Sequence, residues 1–478
     1  MHKTATETFS LKKHTFNIIG NHTIDIDVTH NPFNIPLESL FLMAARVNTK
    51  RSFLFVSKVL GKHIPVKPAV SMLGGAALAT CFLQKVYNLA LPTLSKRIVE
   101  GLVDANKADD ALEFLMAKPL SVPEKVKIIG FAETATALGH SVFAAFHENV
   151  EYIHTTRELL VDKTSIINFE EEHSHATSHR FYAHTEDFLS GQEPVLLVDD
   201  EITTGKTTLN IIRDIQQRFP RKHYVVMSLL DWRSEEDVHR FGNLEKELGI
   251  TITPISLISG RALVHNQPDL QKQKINLTKL SITGNQIQKI YLTQNHFNYV
   301  SYGSVDSMGT VNDSPYLLET GRFGINPVEQ TRFMKEAKEV GRFLSAYRMA
   351  DSRTLVLGTG EFMYVPMVIA HNMGRNVFYH STTRSPIYPN AKAGYGAHNA
   401  FQFRNPEDPG VINFFYNIPY GGYDDLFLFL ERDVSEQRMQ TLAQVLSNLG
   451  IENIYLVICS LSNRNSEGRG EYSDIAGK

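Results

Sequence analysis

Cysteine is scarce in this chain of 478 residues, and neither sign of charge is in large excess. Cys81 and Cys459 lie far apart in the sequence, which excludes a disulfide framework or a cysteine-rich metal site and predicts a cytoplasmic protein. The 48 basic and 51 acidic residues give a formal net charge of -3. Without a basic surplus, the chain is not expected to bind DNA or an anionic membrane surface.

Long apolar runs are missing as well. The most apolar stretch, Ala69 to Gln84, carries no charge, but it is shorter than the roughly 20 residues that a membrane span needs. Lys85 and Asn88 interrupt its continuation, so we expect a buried helix and no membrane partner. Met1 to His14 has no apolar core and therefore does not predict a signal peptide.

Apolar runs alternate with helical patterns along the chain, which is typical of an α/β fold with a parallel sheet. Strands are predicted at Val126 to Ile129, Val195 to Val198 and Val225 to Leu230. A second α/β pattern begins near Val328 and includes a strand at Asp425 to Leu430. The length also exceeds what one hydrophobic core supports, and it predicts more than one domain.

Three regions follow from these patterns. Residues 1–262 are predicted to form the first α/β domain, and residues 316–478 a second, smaller α/β domain. Between them, residues 263–315 are polar and β-prone, with Gln288 to Gln294 as one arm of a predicted hairpin. We interpret this middle region as a β-rich connector.

A polar segment follows the buried strand Val195 to Val198. Its two acidic residues, Asp199 and Asp200, are placed where they can accept hydrogen bonds from sugar hydroxyls. The next segment combines small, hydroxyl and basic residues before a helix, and its amides are suited to a phosphate. These candidate phosphate ligands are Thr203, Thr204, Gly205, Lys206 and Thr207.

This segment permits two other interpretations. Gly205, Lys206 and Thr207 resemble the end of the Walker A loop of nucleotide triphosphatases. The position five residues before Gly205 is Asp200 rather than glycine, and a carboxylate there would face the nucleotide phosphates. The alternative without a ligand is an acidic turn in which Thr203 or Thr204 caps the helix.

The run Asp-Asp-x-x-Thr-Thr-Gly-x-Thr resembles the fingerprint of type I phosphoribosyltransferases, with Glu201 at a position that is usually apolar. The resemblance implies a Rossmann-like transferase domain that uses 5-phosphoribosyl-1-pyrophosphate (PRPP) with Mg²⁺ and has no protein metal site of its own. It also implies a pyrophosphate loop, which falls at Ala132, Glu133 and Thr134.

The same resemblance assigns further residues. Arg157 falls where the family often places a cation for pyrophosphate, so that Asp199, Asp200 and Arg157 form the expected catalytic set. Residues 169–179 fall at the mobile loop that closes over the substrate. Three histidines in that loop, His173, His175 and His179, have no ordered ligand spacing, which favours a solvated loop over a metal site.

Residues 1–70 correspond to the family's variable hood, which selects the acceptor. Lys58 and Lys62 follow a short predicted strand in this hood and are candidate phosphate ligands. A solvated basic turn explains them about equally well.

The second half resembles a domain named after its Thr-Arg-Ser-Pro motif, the TRSP domain, here Thr383 to Pro386. That domain follows an orotate-phosphoribosyltransferase-like domain in bacterial tellurite-resistance and stress clusters. The resemblance implies a cytoplasmic enzyme of nucleotide-like metabolism with PRPP and an unidentified base-like acceptor as partners. Arg384 is a candidate anion ligand. A non-catalytic regulatory protein that binds PRPP or a nucleotide is the alternative, and homo-oligomer formation stays open.

The two halves also resemble each other. Gly130-x-x-Glu133 and Asn149 to Arg157 are echoed by Gly358-x-x-Glu361 and Asn376 to Arg384. Continuing this register matches Val195 to Val198 with Phe427 to Leu430, and it replaces the phosphate segment with Glu431 to Met439, which has no glycine. We infer a duplicated or convergent unit, with chance similarity as the alternative.

Overall fold

The computed structural model of the chain describes residues 12–47, 51–161, 163–170, 178–268, 270, 287–292 and 296–460. In the first half, strands alternate with helices. The elements are β1 (Lys12–Ile19), β2 (His22–His30), α1 (Leu37–Leu40), β3 (Phe41–Ala45), β4 (Phe53–Ser57), α2 (Pro68–Tyr87), α3 (Pro92–Val103), α4 (Ala108–Ala117), β5 (Val126–Gly130), α5 (Ala135–Ala144), β6 (Val150–His154), β7 (Leu159–Leu160), β8 (Ile167–Glu170), β9 (Ser178–Phe181), β10 (Val195–Ile202), α6 (Lys206–Arg218), β11 (His223–Asp231), α7 (Glu235–Leu248) and β12 (Thr251–His265).

Seven of these strands form one sheet in the order β1-β2-β12-β11-β10-β5-β6. The five strands from β12 to β6 are parallel, whereas β2 joins β12 and β1 in antiparallel pairs. The first four residues of β10, Val195 to Val198, are fully buried, which explains the continuous apolar run, because helices cover both faces of such a sheet. The predicted α/β fold class is confirmed.

Helix α2 lies in the core against α5. It begins at Pro68 and ends before Asn88, which adopts the left-handed conformation that often terminates a helix. Within the described ranges it is the one helix long and apolar enough to cross a membrane, and 83% of its apolar window is buried inside the protein. The predicted buried helix is therefore confirmed.

The second half contributes a smaller sheet. Its elements are β13 (Ile287–Tyr291), β14 (Tyr299–Val300), β15 (Ser304–Val305), β16 (Val311–Asn312), β17 (Tyr316–Leu317), α8 (Pro327–Ser345), β18 (Thr354–Gly358), α9 (Tyr364–His371), β19 (Val377–Ser381), β20 (Ala400–Arg404), β21 (Ile412–Tyr416), β22 (Asp425–Leu430), α10 (Glu436–Leu446) and β23 (Asn453–Ile458). Five parallel strands lie in the order β13-β23-β22-β18-β19.

Strand β13 corrects one sequence-based interpretation. The segment around Gln288 was expected to be one arm of a hairpin, but it pairs in parallel with β23. It is an edge strand, and Gln288 and Lys289 are exposed, so its polar pattern imitates that of a hairpin. Residues 271–286, which include the rest of the predicted hairpin, lie outside the described residues. The domain limits at 262 and 316 stay predictions.

The two halves share one hydrophobic core and exchange backbone pairs. Tyr152 of β6 pairs with Ile325, just before α8, through N–O distances of 3.0 and 2.8 Å. Tyr379 of β19, the counterpart of Tyr152, pairs with Val66, just before α2, through distances of 2.9 and 2.7 Å. In each half, the edge strand of the sheet therefore pairs with the segment that precedes a long helix of the other half.

The internal resemblance extends to the strand registers. Gly130 lies opposite His154 in the first sheet, and Gly358 lies opposite Ser381, the counterpart of His154, in the second. Asn149 and Asn376, which precede the two edge strands, both adopt a φ of 58°. These matches favour a common structural unit over chance similarity.

The predicted alignment of the next strand is wrong by one residue. Leu196 lies opposite Ile128, and Phe427 lies opposite Val356, the counterpart of Ile128. Phe427 therefore corresponds to Leu196 rather than to Val195. It follows that Glu431 takes the place of Asp200. The error arose because two uninterrupted apolar runs carry no internal register mark.

Glu319 gives the second half a pH-dependent contribution to stability. Burial raises the pKa of this carboxyl to about 7, although the amide of Asn298 donates to its Oε1 at 2.8 Å. Between its ordinary pKa of 4.5 and about 7, the folded chain keeps a proton that the unfolded chain releases. The stabilisation from this group is complete below pH 4.5 and is lost as the pH rises through 7.

We expect Glu319→Gln to remove this dependence. Relative to the unaltered chain, the free energy of unfolding of the variant should rise by up to about 3 kcal/mol as the pH increases through this range. Urea unfolding at a series of pH values measures the difference. Glu339→Gln, at an exposed carboxylate of α8, is the control. A constant difference between Glu319→Gln and the unaltered chain at every pH would contradict the account.

Candidate functional site

The predicted phosphate segment lies at the carboxyl edge of the first sheet. Asp199 and Asp200 are half-buried near the end of β10, and the Asp200 amide donates to Oδ1 of Asp199 at 2.9 Å. Residues 203–207 are half-buried and comprise the loop before α6 and the first two residues of that helix, which begins at Lys206. The first amides of a helix lack partners within it, so this loop presents amides and hydroxyls together.

Gly205 is required by the shape of this loop. It precedes α6 with a φ of 69°, in the left-handed region. A Cβ atom at this position would lie 2.5 Å from the ring of Phe241 on α7, and Arg233 covers that ring at 4.3 Å. Gly205→Val would therefore disturb the packing of α7 as well as the loop, so it does not test binding alone.

The predicted pyrophosphate loop connects β5 to α5 on the neighbouring strand of the sheet. The Ala132 amide donates to Oγ1 of Thr155 at 2.9 Å, and the Thr155 amide donates to the carbonyl of Gly130 at 2.9 Å. Thr155 Oγ1 also lies 3.0 Å from Nδ1 of His179. Ala132 and Glu133 are buried, and Thr134 is half-buried.

A buried ion pair joins the hood to this loop. Nζ of Lys62 lies 3.1 Å from Oε2 of Glu133, and the two side chains are only 1% and 8% exposed. Burial lowers the pKa of Lys62, and Glu133 opposes that shift. Burial disfavours the charged form of Glu133 too, but Lys62, Arg384 and Arg157 together hold its pKa below the ordinary value. Lys58 instead donates to the carbonyl of Glu38 at 2.7 Å.

Arg157 lies in a turn after β6 that Arg180 and Glu361 hold in place. Thr156 and Arg180 exchange backbone hydrogen bonds of 2.8 Å, and Nη1 of Arg180 donates to the Arg157 carbonyl at 3.1 Å. From the second half, Glu361 accepts hydrogen bonds from the Arg157 amide at 2.7 Å and from Thr156 Oγ1 at 2.5 Å. The position of Arg157 thus depends on both halves.

The residue after Arg157 belongs to a buried charge cluster, which we define as Glu158, Tyr316, Arg322, Glu431 and Arg432. Nη1 of Arg322 donates to both carboxylate oxygens of Glu431 at 2.9 and 2.8 Å. Glu158 lies 3.3 Å from Arg322 and 3.1 Å from Arg432, and it accepts from the Tyr316 hydroxyl. Both guanidinium groups are 1% exposed.

This cluster occupies the part of the second half that corresponds to the strand end of Asp199 and Asp200 in the first. Both carboxylate oxygens of Glu431, the counterpart of Asp200, accept hydrogen bonds from Arg322 in a buried ion pair. The neighbouring Arg432 lies over the Tyr316 ring at 4.0 Å and pairs with Glu158 of the first half. Internal ion pairs therefore fill this region.

Two other predicted features have a clear position. The sequence leaves the role of Glu201 open. Its Oε1 lies 2.5 Å from Nη2 of Arg51, so Glu201 connects the hood to the end of β10. The predicted lid begins in β8 and ends in β9, which pair in an antiparallel manner. Residues 171–177, which include His173 and His175, lie outside the described residues. Within the described ranges no group of three or more metal-ligating side chains exists.

The structure brings together most of the predicted site residues. The loops after β10 and β5 lie side by side at the carboxyl edge, and the Arg157 turn follows β6 at the same edge. Lys58 is the exception, because its ammonium donates to the carbonyl of Glu38. The sequence analysis missed Glu158, Arg322 and the contact of Glu361 with Arg157. The available signals were the Thr-Thr-Arg segment that is repeated in the two halves and the glutamate of the repeated Gly-x-x-Glu turn.

Comparison with known families identifies the domains. Residues 40–261 match the family model described as phosphoribosyl transferase, and residues 319–446 match the model of the TRSP domain that lies C-terminal to it. The chain is therefore a phosphoribosyltransferase. More particularly, its transferase domain is followed by a TRSP domain. No curated protein matches the chain.

Solved structures similar to part of the chain include two adenine phosphoribosyltransferases. The enzyme from Trypanosoma brucei has 13% identity, and the match covers 48% of this chain and 82% of that chain with a TM-score of 0.30. For the enzyme from Giardia lamblia the identity is 18%, the coverage is 34% and 84%, and the TM-score is 0.23. The family models alone support the assignment.

The Lys62–Glu133 pair leads to a test of how the site is built. Glu133→Gln should destabilise the protein by roughly 3–5 kcal/mol, because the Lys62 ammonium would stay buried without its counter-charge. Adding Lys62→Met to Glu133→Gln should recover most of that loss. Denaturant unfolding measures both, and Lys58→Met is the matched control, expected to change stability by less than about 0.5 kcal/mol. Equal loss in the single and double variants would contradict this account.

Proposed function

We propose that the transferase domain moves the phosphoribosyl group of PRPP to a nitrogen of a base-like acceptor. The bond from ribose C1 to the pyrophosphate oxygen breaks, and a bond from C1 to the acceptor nitrogen forms. Pyrophosphate leaves with the bonding electrons, and the acceptor nitrogen loses a proton. The observation that supports this proposal most strongly is the acidic strand end and phosphate loop of β10 beside the buried Glu133 loop.

The 5-phosphate is proposed to bind residues 203–207. This loop lies at the start of α6, where the helix dipole and the first amides favour an anion. The hydroxyls of its threonines supply further donors. Because the loop is half-buried, the contacts with a phosphate are expected to be stronger than those at an open surface.

Asp199 and Asp200 are proposed to accept hydrogen bonds from the two ribose hydroxyls. Their carboxylates also suit Mg²⁺, which binds through one or two protein carboxylates together with substrate oxygens. The donor set fits that mode, since Asp199 and Asp200 are two adjacent, half-buried carboxylates near the end of β10. When bound, Mg²⁺ neutralises charge on the departing pyrophosphate.

The pyrophosphate is proposed to lie against Ala132, Glu133 and Thr134, with Lys62 and Arg157 as nearby cations. The negative charge of Glu133 is neutralised by Lys62, whose Nζ lies 3.1 Å from Oε2 of Glu133, so this carboxylate does not repel the pyrophosphate. Arg157 offers a fork of donors that suits phosphate oxygens. The neutralised Glu133 and the cation of Arg157 together favour a pyrophosphate leaving group.

The acceptor is proposed to enter beneath the hood, and its identity stays open within the base-like class. The family resemblance leads us to propose a cytoplasmic role in nucleotide-like metabolism connected with stress or tellurite resistance. The lid of residues 169–179 is proposed to exclude water while the ribose carbon carries positive charge.

We expect the full chain to bind PRPP with Mg²⁺ more tightly than ATP, because Asp200 stands where a triphosphate-binding loop has glycine, whereas a pair of carboxylates before a 5-phosphate loop suits PRPP. Asp200→Asn should lower the affinity for PRPP about tenfold or more. Titration calorimetry measures both affinities, and Asp110→Asn, at an exposed position of α4, is the matched control. Tight ATP binding without PRPP binding would refute the proposed function.

A further inference from the structure

The TRSP motif lies against the hood of the transferase domain. Val47 donates its amide to the carbonyl of Pro386 at 3.2 Å, and Tyr388 donates to the carbonyl of Ala45 at 2.9 Å. Arg46 and Ile387 form a bridge between these two contacts. Strand β19 ends at Ser381, two threonines follow, and Arg384 comes next, two residues before Pro386. The contacts of Pro386 to Tyr388 with the hood therefore fix the motif at the boundary between the domains.

The turn after β18 forms a wall beside Glu133. A Cβ atom at Gly360 would lie 3.5 Å from Oε1 of Glu133, and Sδ of Met363 lies 4.0 Å from Nζ of Lys62. Thr136, at the start of α5, donates to the carbonyl of Glu361 at 3.1 Å. The charge of Arg384 contributes to holding the pKa of Glu133 below its ordinary value. Arg384 therefore acts on the transferase loop across the domain boundary.

The TRSP domain also holds the Arg157 turn on both sides. Glu361, which is 7% exposed, accepts hydrogen bonds from Thr156 Oγ1 and from the Arg157 amide. The next residue, Glu158, is bound by Arg322 and Arg432. Three consecutive residues of the transferase domain thus depend on buried charges from beyond residue 316.

We propose that the TRSP domain completes the pyrophosphate side of the transferase site, with Arg384 contacting the pyrophosphate and Glu361 positioning Arg157. This inference rests on the proposed function, because it concerns the same ligand. It assigns the domain a direct role in binding the substrate. Arg157 and Arg384 follow equivalent strands of the two halves, β6 and β19, so the two guanidinium groups come from corresponding turns.

The alternative for Arg384 is an internal pair with Glu361. The described contacts do not favour it, because the Glu361 carboxylate already accepts from Thr156 and Arg157 and lies 3.6 Å from Arg322. Pyrophosphate carries several negative charges, and a second cation beside Arg157 would stabilise it when water is excluded. Ribose 5-phosphate lacks this group and should not depend on Arg384.

The test uses the full chain and three probes with Mg²⁺: inorganic pyrophosphate, ribose 5-phosphate and PRPP. Arg384→Ala should lower the affinity for pyrophosphate and PRPP about tenfold or more, while the affinity for ribose 5-phosphate changes less than about twofold. Arg342→Ala, at an exposed arginine of α8, is the control. Thermal melting checks that the variants fold. If Arg384→Ala is unstable, Arg384→Lys takes its place. This variant keeps the charge, so it should lose less affinity for pyrophosphate than is expected for Arg384→Ala.

The positioning role of Glu361 has its own readout. If Glu361 acts through Arg157, Glu361→Gln should weaken pyrophosphate binding in the unaltered chain but add little to Arg157→Ala. If the role of Glu361 is merely structural, the losses of pyrophosphate affinity in the two variants should add, and the affinity for ribose 5-phosphate should fall equally.

Equal losses for pyrophosphate and ribose 5-phosphate, or no loss in Arg384→Ala, would overturn the inference and leave the proposed function standing. If the unaltered chain does not bind PRPP, the proposed function fails, and this inference fails with it.

Discussion

The buried contact of Glu158 with Arg322 and Arg432 is the constraint on which the arrangement of the two domains depends. The side chains of Arg322 and Arg432 are 1% exposed and that of Glu158 is 20% exposed, so the two arginines need their partners in place. Replacing such a group with an apolar cluster often stabilises a protein, which means that the contact is better understood as fixing geometry. The geometry that it fixes includes the turn of Arg157, since Glu158 is the next residue.

The same constraint explains how two similar units acquired different roles. Both have a parallel pair of strands with the same register, followed by a Thr-Thr-Arg turn. In the first unit, the strand that carries Asp200 ends in the loop that we propose to bind the 5-phosphate. In the second, Glu431 takes the equivalent place and binds Arg322 instead. An internal ion pair therefore fills the region of the second unit that corresponds to the strand end of Asp200.

Much of the fold could be predicted from local patterns. Periodicity and residues that lie close in sequence predict the apolar strands of the first sheet, the buried helix α2 and the position of the loop between β10 and α6. The contacts of Glu361 with Arg157 and of Arg322 with Glu158 could not, because their partners lie 204 and 164 residues apart. No local propensity records such pairs. The edge strand β13 was misinterpreted for a related reason, since its partner β23 lies far along the chain.

The central proposal is that a single site at the carboxyl edge of the first sheet binds PRPP and that the TRSP domain closes its pyrophosphate side. A crystal structure of the full chain with PRPP and Mg²⁺ tests it most directly. We expect the 5-phosphate at residues 203–207 and the pyrophosphate between Arg157 and Arg384. PRPP bound at the second sheet beside Glu431, or pyrophosphate turned away from Arg384, would contradict the account.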